Sequence, residues 1–301
     1  MRVDGPAVKN KIAILIPYFG EWPAWIDFFV ESCRWNRGIE WFLFNDRAPP
    51  QNRAPNVNHI SVSFADYLIR LSDALGVKVG AEIPYKLCDV RPALPFVHAD
   101  LVRPFDFVGT GDLDVIYGDI RSFYDDGLLA NYDLFSSHAD RVSGHFTLMR
   151  NREDVVNTFR RASRWKAAFR NTEYVNFDER AFYNLFALRR RWRPGGSAAE
   201  SIRCFFREAY STPGVTDRMR WYWKDGRLTN EFYPHHPFMY LHFMSWHSNR
   251  WYKDQRGADP SAPAPWGVLP EVVQMDWRDA RDKGFMISPQ GIQPIETPNY
   301  P

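Results

Sequence analysis

The sequence predicts an α/β fold in which a mostly parallel central sheet is flanked by helices. The main observation is an alternation of strand and helix patterns that begins at residue 11 and continues along the chain. In addition, the first strand pattern, residues 11–17, is an uninterrupted aliphatic run, which is typical of a strand buried on both faces of a parallel sheet. A chain of 301 residues is long enough to bury the core of such a domain.

The next elements follow from hydrophobic spacing and from turn residues. Residues 25–35 carry apolar side chains at helical spacing, and a second strand over 40–44 ends at Asn45 and Asp46. A helix is predicted to start at Asp119 and to end at Asp125-Asp126-Gly127. Patterns of the same kinds predict strands over 59–62, 105–108, 132–137 and 145–150 and helices over 64–75, 84–99, 151–169 and 178–188.

The carboxyl-terminal part predicts a hairpin followed by an irregular tail. Asp225-Gly226 between aromatic-rich flanks is a hairpin signal, and 238–246 predicts a short final strand or turn. Prolines over 257–301 predict little regular structure. The expected organisation is a leader (1–10), a main domain (11–250) and a proline-rich extension (251–301) that packs on this domain or trails from it.

Composition restricts the possible partners. Lys plus Arg is 38 and Asp plus Glu is 36, so the charge balance implies no nucleic acid partner. The three cysteines lack the spacing of a metal site, which indicates a reducing, cytoplasmic location. The sequence shows neither a signal peptide nor a run long enough to span a bilayer.

The stretch 105–120 is the strongest indication of chemistry. Asp112 and Asp114 stand two residues apart after an apolar run, so an extended backbone would direct both carboxylates to one side. A divalent cation held by oxygen ligands would relieve their repulsion, and a solvated surface turn is the alternative. Gly109 and Gly111 would leave room for a diphosphate to approach the backbone.

Other predicted strands also end in polar or aromatic residues. Pro17-Tyr18-Phe19 follows the first strand, and Asp46 follows the second. In an open α/β sheet, ligands bind at the carboxyl ends of the strands. The set therefore predicts a nucleotide site, with Tyr18 and Phe19 stacking on the base and Asp46 either binding the base or ribose or capping a turn.

Six segments resemble bacterial glycosyltransferases of the GT-A (Rossmann-like) fold, in particular a group associated with surface and capsular polysaccharides. The similarity to glycogenin and to lipopolysaccharide galactosyltransferases is more distant. The resemblance covers roughly residues 11–246, and it would make this domain catalytic. The segments are KIAILIPYFG, FND, YKLCDVRPA, FDFVGTGDLDVIYGDIRSF, SSH and GHFTLMRN.

The resemblance implies a metal centre that binds Mn²⁺ or Mg²⁺. Asp114 would bind the metal directly, Asp112 would act through water or the ribose, and His242 would be the third ligand. His235, His236 and His247 compete for the role of His242, but their irregular spacing matches no closed zinc site. The donor would be a nucleotide diphosphate sugar, with UDP-sugars favoured. Its binding residues would be Pro17, Tyr18, Phe19, Asp46, Lys86, Asp89, Gly111 and Asp112.

The acceptor side is less determined. Asp178 or Glu179 would be the base of an inverting enzyme, or both are ordinary acidic residues in the first turn of a helix. A retaining enzyme would need no such base. His138, Gly144 and His145 would contact the acceptor, although the two histidines could equally be packed in the core.

The expected activity is metal-dependent transfer of a sugar to a glycan or lipid-linked acceptor in cell-surface polysaccharide synthesis, by a hexosyltransferase. The basic stretch 189–193 is either a contact with the inner face of the membrane or a solvated helix end. One alternative is a magnesium-dependent nucleotidyltransferase or phosphoester hydrolase, although the phosphate-binding loop motifs are missing. The other is a carbohydrate-binding protein that uses its tryptophans, for example in the hairpin at Trp221-Tyr222-Trp223.

Overall fold

In the part of the chain that the structure describes, the main sheet has seven strands, in the order β3-β2-β1-β4-β7-β6-β8. The computed structural model describes residues 10–187, 202–207, 220–243, 272–288 and 290–295. The strands are β1 (Ile12–Pro17), β2 (Ile39–Asn45), β3 (Val57–Ser61), β4 (Phe107–Gly111), β5 (Val115–Tyr117), β6 (Leu134–Ser136), β7 (Phe146–Arg150), β8 (Cys204–Phe206), β9 (Trp221–Lys224), β10 (Arg227–Asn230), β11 (Tyr233–Phe238), β12 (Tyr240–His242), β13 (Phe285–Ser288) and β14 (Gly291–Gln293).

This sheet confirms the predicted α/β class. Within it β7 runs antiparallel to its neighbours β4 and β6, and the other pairings are parallel. The helices are α1 (Ile26–Arg34), α2 (Phe64–Leu75), α3 (Leu94–Val97), α4 (Ala99–Val102), α5 (Asp126–Asn131), α6 (Glu153–Val156), α7 (Trp165–Arg170), α8 (Phe182–Ala187) and α9 (Trp277–Lys283). Within the described ranges, no helix has both the length and the apolar character needed to cross a membrane.

Strand β1 is buried on both faces, as its aliphatic sequence predicts. Ile12, Ile14 and Ile16 pack in one core cluster, and Ala13 and Leu15 pack in a second one. The first cluster also contains α1 and a five-stranded sheet of order β11-β10-β9-β13-β14, and the second contains α2 and the helices around 84–102 and 155–186. The main sheet therefore lies between two hydrophobic layers.

The hairpin at β9 and β10 is confirmed. Asp225 and Gly226 have φ values of 51° and 73°, and positive φ at both turn residues is what a two-residue hairpin loop of the favoured type requires. Trp221 and Trp223 are fully buried, and the Nε1–H of Trp223 donates to the Tyr117 carbonyl at 2.8 Å. The hairpin tryptophans belong to the core, so they offer no exposed platform for a sugar.

Two predicted helices are broken in the structure. Residues 84–99 form a 3₁₀ helix over Pro84–Ala93 followed by α3 and α4, because Pro92 cannot donate a helical hydrogen bond and its ring disfavours a regular α-helix. Residues 151–169 form α6, a 3₁₀ turn at Thr158–Arg161 and α7. The Thr158 hydroxyl bonds the Asp154 carbonyl here, and such side-chain bonds compete with the regular helix.

Two further predictions are wrong. Asp125-Asp126-Gly127 begins a helix rather than ending one, since the Asp125 carboxylate accepts the Leu128 N–H at 2.7 Å and caps α5. The tail contains α9, β13 and β14, and β13 pairs with β9. These strands are too short to be read from the sequence and gain their stability from tertiary pairing.

Several expectations concern residues outside the described ranges. They are the leader as far as residue 9, the basic stretch 189–193 and His247.

Candidate metal centre and active-site cleft

A cleft of about 590 Å³ opens beyond the carboxyl ends of β1 and β4. This volume lies within the range of about 300–1,000 Å³ that is usual for small-molecule sites. Its wall is aromatic and acidic with one arginine. The lining residues are Pro17, Tyr18, Phe19, Pro23, Trp25, Ile83, Pro84, Tyr85, Leu87, Cys88, Arg91, Asp112, Leu113, Asp114, His145, Tyr174, Asp178, Glu179 and His242.

Asp112, Asp114 and His242 lie together in this cleft. Each offers one ligand atom, and these atoms lie within 4.8 Å of one another. The proximity follows from the antiparallel pairing of β5 with β12, which is extended by a 3.0 Å hydrogen bond from the Phe243 N–H to the Asp114 carbonyl. The Nε2 of His242 is consequently 3.3 Å from Asp114 Oδ2.

The three side chains fit a divalent metal ion. Carboxylate oxygens suit Mg²⁺ and Mn²⁺, and the imidazole makes the set better suited to Mn²⁺, because Mg²⁺ prefers oxygen ligands. The His242 ring is held by stacking on His145, with centroids 3.8 Å apart. Its Nδ1 is buried and has no hydrogen-bond partner among the described residues. His235 and His236 are exposed on β11 and do not line the cleft.

Arg91 connects the aspartate pair with a second carboxylate. It is hydrogen-bonded to Asp112 Oδ1 through Nη2, and its Nη1 lies 3.5 Å from Asp178 Oδ2. The negative charges of Asp112 and Asp178 raise the pKa of Arg91 above its ordinary value against the opposing effect of burial. The guanidinium is therefore a fixed positive charge between two acidic groups.

Asp178 is almost completely buried in the wall of the cleft. Burial raises its pKa to about 7, although the Arg91 charge opposes the rise. The Tyr174 hydroxyl donates to Asp178 Oδ1 at 3.2 Å. Asp178 and Glu179 stand in a π-helix over Phe177–Ala181, which is an uncommon form often found at functional sites. A carboxyl group with a pKa near neutrality can exchange a proton at physiological pH.

Pro17, Tyr18 and Phe19 line the cleft as predicted, whereas Asp46 does not. Asp46 accepts the Gly20 N–H at 3.1 Å, where φ is 102°, and so caps the loop after β1. This contact favours the capping interpretation of Asp46 over direct binding of a ligand.

Lys86 and Asp89 lie outside the cleft wall, in contrast to their expected place beside a donor. Lys86 Nζ donates to Asp89 at 2.7 Å and to the carbonyls of Ala168 and Glu173 at 2.8 and 2.7 Å. An ammonium group has three N–H donors, so these bonds use all of them. Both side chains are fully buried, and their charges are neutralised by each other rather than by a ligand.

Gly109 and Gly111 face the core instead of a ligand. A Cβ at Gly109 would lie 2.2 Å from the Thr147 carbonyl oxygen, and one at Gly111 would lie 3.1 Å from the Tyr117 hydroxyl. Close packing inside the protein therefore explains both glycines. The expectation that they make room for a diphosphate has no support in this geometry.

The residues expected at the acceptor side separate into two places. His145 lines the cleft, and its Nε2 is 2.8 Å from the Tyr240 hydroxyl. Burial and the neighbouring histidines hold its pKa well below the ordinary value, so the ring is neutral. His138 is buried behind it, with ring centroids 5.3 Å apart. Gly144 lies against Arg91, because a Cβ there would be 2.7 Å from Nη1.

Sequence reasoning gave little weight to Arg91 and did not find Tyr85 or Tyr174. Arg91 was present in the YKLCDVRPA segment, and the signal that could have identified it is that a pair of aspartates in a closed cleft needs a nearby cation. The two tyrosines both line the cleft and pack edge to face, with ring centroids 5.1 Å apart.

The fold and the cleft define an α/β protein with a candidate centre for a divalent metal ion at the carboxyl edge of its main sheet. Residues 14–261 match a family described as "Family of unknown function (DUF6625)", and the chain belongs to this family. No curated protein matches the sequence.

Solved structures similar to the chain include three glycosyltransferases. The galactosyltransferase LgtC, in complex with donor and acceptor sugar analogues, is 12% identical with a TM-score of 0.39, over 89% of this chain and 99% of LgtC. The apo form of GlyE from Streptococcus pneumoniae TIGR4 is 12% identical with a TM-score of 0.35, over 65% and 45% of the chains. A glycosyltransferase involved in glycosylation of the PBCV-1 major capsid is 12% identical with a TM-score of 0.36, over 66% and 83%. Similarity at this level does not by itself decide an activity.

Proposed function

We propose that this protein is a metal-dependent glycosyltransferase that moves a sugar from a nucleotide diphosphate sugar, preferably a UDP-sugar, to a glycan or lipid-linked acceptor. The observation that carries the proposal is the cluster of Asp112, Asp114 and His242 beside Arg91 in one cleft. Two carboxylates, an imidazole and a guanidinium suit a metal ion and the diphosphate that accompanies it.

In this proposal Asp114 and His242 hold Mn²⁺ or Mg²⁺, and Asp112 contributes directly or through water. The bound ion would supply positive charge that stabilises the leaving diphosphate. Tyr18 lines the cleft beyond β1, and we assign it to stacking on a nucleobase. Phe19 also lines the cleft, but its ring is mostly buried against Phe64 and Tyr67. Arg91 is already fixed by Asp112, so its charge requires no reorganisation when a substrate binds.

Asp178 is the better candidate for a general base on the acceptor side. Its pKa of about 7 allows it to accept a proton from a hydroxyl group near neutral pH. Glu179 lines the same cleft and remains the second candidate. His145, a neutral imidazole in the wall, is available for a hydrogen bond to the acceptor. A transfer that retains the sugar configuration would use neither carboxylate as a base.

We further propose that the enzyme acts in cell-surface polysaccharide synthesis and is located in the cytoplasm, in peripheral contact with the inner face of the membrane. The acceptor would be presented there if it is linked to a lipid. Fractionation of cells that express the tagged protein tests the location, and recovery outside the cytoplasmic and membrane-associated fractions would reject it.

Binding of nucleotides with and without Mn²⁺ tests the activity class. The melting temperature of the wild type should rise with UDP or GDP only when Mn²⁺ is present, since ligand at about 100 times its Kd stabilises the native state by about 2.7 kcal/mol. Asp114→Ala should lose this shift. Asp100→Ala is a matched control, because Asp100 is exposed and its ion pair with the exposed Arg103 lies outside the cleft wall.

A wild type that binds neither nucleotide under either condition would reject the proposal. Binding that Asp114→Ala keeps unchanged would instead remove Asp114 from the metal centre. Nucleotide sugars that give a shift can then be tested for Mn²⁺-dependent release of the free sugar.

A further inference from the structure

The 3₁₀ helix over Pro84–Ala93 contains a buried ion pair that the proposed chemistry does not use. Lys86 and Asp89 carry opposite charges, and neither side chain is exposed to solvent. Burying charges is costly even when they are paired, and a hydrophobic pair of similar size is often as stable. The pair therefore requires an explanation beyond its contribution to stability.

Besides Lys86, Asp89 binds two backbone N–H groups in the segment that leads to Asp178 in the cleft wall. Its Oδ2 accepts the Val175 N–H at 2.8 Å, and its Oδ1 accepts the Phe177 N–H at 2.6 Å. These two amides flank Asn176, whose φ of 58° is unusual for a residue other than glycine. Asp89 thus holds the backbone on both sides of a strained residue, immediately before Asp178.

Lys86 binds the part of the backbone that precedes Val175 and Phe177. Its ammonium group donates to the Ala168 carbonyl in α7 and to the Glu173 carbonyl in the loop that follows. The segment 168–177 is therefore bonded at four backbone positions to one buried ion pair. That leaves it little freedom to shift relative to the 3₁₀ helix.

Arg91 belongs to the same 3₁₀ helix, two residues after Asp89. One rigid unit consequently carries Arg91 and, through the ion pair, fixes the start of the π-helix that carries Asp178. The separation of 3.5 Å between Arg91 Nη1 and Asp178 Oδ2 depends on both attachments.

We propose that Lys86 and Asp89 are positioning residues, which set the Asp178 carboxyl group against Arg91 by clamping the backbone at 173–177. The clamp is a structural statement about this chain, and its catalytic consequence rests on the glycosyl transfer proposed above. Misplacement of a reacting group by about 1 Å can lower a rate by about 10²-fold.

The test uses the double variant Lys86→Met/Asp89→Asn, in which both charges are removed together and the side chains keep similar volumes. Its matched control is Arg150→Met/Asp133→Asn. Asp133 is equally buried, bonds Arg150 at 2.9 Å and accepts the Arg203 N–H at 2.9 Å, but none of these residues lines the cleft. If the double variant does not fold, Lys86→Gln replaces it, because glutamine retains two of the N–H donors but not the charge. Asp89 still bonds the Val175 and Phe177 amides in that variant, so their exchange should accelerate by a smaller factor.

Amide hydrogen exchange is the first measurement, and it requires no substrate. Exchange at Val175 and Phe177 should accelerate by about tenfold or more in the clamp variant, as expected when hydrogen bonds to a charged acceptor are lost. The control should leave these two amides unchanged. Equal exchange in the two double variants would overturn the clamp.

Donor hydrolysis is the second measurement, with the nucleotide sugar that stabilises the wild type. The kcat of the clamp variant should fall by about 10²-fold while its KM for the donor stays within about twofold, because Asp178 is displaced and the metal centre is not. An unchanged kcat in a variant with accelerated exchange would overturn the positioning role. If the wild type itself turns over no donor, the proposed function fails, and hydrogen exchange alone decides the clamp.

Discussion

Replacing Asp178 by asparagine should stabilise the protein relative to the wild type, by an amount that grows as the pH rises. The pKa of Asp178 is raised to about 7, first by burial and then by the charges of Glu179 and Asp89, while Arg91 and the Tyr174 hydroxyl act in the opposite direction. Asparagine has the same shape and stays neutral. It can still accept the Tyr174 O–H, so the substitution isolates the cost of ionising the buried carboxyl group.

The sign and size follow from proton linkage. The unfolded chain releases this proton near the ordinary value of 3.8, and the folded protein releases it near 7. Between these values the folded state binds more protons than the unfolded state, so this carboxyl group lowers the free energy of unfolding as the pH rises. One pH unit corresponds to about 1.4 kcal/mol, and the interval from 3.8 to about 7 therefore corresponds to about 4 kcal/mol.

Urea unfolding of both proteins in buffer with a chelator, followed by tryptophan fluorescence, measures this effect. Wild type and Asp178→Asn should be similar in stability near pH 4, and the variant should gain about 4 kcal/mol relative to the wild type by pH 8. A difference that stays constant within about 1 kcal/mol across this range would refute the raised pKa, and with it the case for Asp178 as a base near neutrality.

Two further substitutions test the metal centre and the packing around Arg91. His242→Ala should weaken Mn²⁺ binding by more than about tenfold in an electron paramagnetic resonance titration, because loss of a residue that merely supports a metal ligand already costs about 10–100-fold in affinity. The control is His235→Ala, which changes an exposed residue. Equal Mn²⁺ affinities of the two variants would remove His242 from the metal centre. Gly144→Ala should lower the kcat of donor hydrolysis by about tenfold or more, because its Cβ would approach Arg91 Nη1 to 2.7 Å and displace it. Gly127→Ala in α5 is the control, since its nearest contact would be 3.3 Å, and equal activities of the two alanine variants would contradict the packing argument.

Local sequence patterns predicted the parts of the fold that rest on local interactions. The helix over 64–75 has the predicted bounds, because Ser63 caps it and Gly76 ends it with a φ of 63°. The 84–99 region had apolar spacing that suited an α-helix, yet its prolines impose a 3₁₀ segment. Strand β13 was missed because its stability comes from pairing with β9, which is distant in sequence.

In the candidate site, too, local features could be predicted from the sequence and features that depend on tertiary structure could not. The Asp112 and Asp114 pair could be predicted because the spacing and the preceding strand are local features. The place of His242 depends on the register between β5 and β12, which sequence spacing does not reveal and which the family resemblance supplied. Lys86 and Asp89 were expected beside the donor because the family resemblance implied that position. Only the tertiary structure shows that each finds its partners inside the protein.

The charges in the cleft constrain the order in which the proposed substrates can bind. Among the described lining residues Arg91 is positive, and the four negative groups are Asp112, Asp114, Asp178 and Glu179. Even with Asp178 protonated below its pKa of about 7, the wall keeps an excess of negative charge. A nucleotide diphosphate is itself an anion, so it would be repelled unless a cation is bound first or enters with it. The negative charge of the cleft wall thus favours a divalent metal ion and also explains why nucleotide binding should depend on that ion. One arginine between two carboxylates is not enough to attract the donor alone.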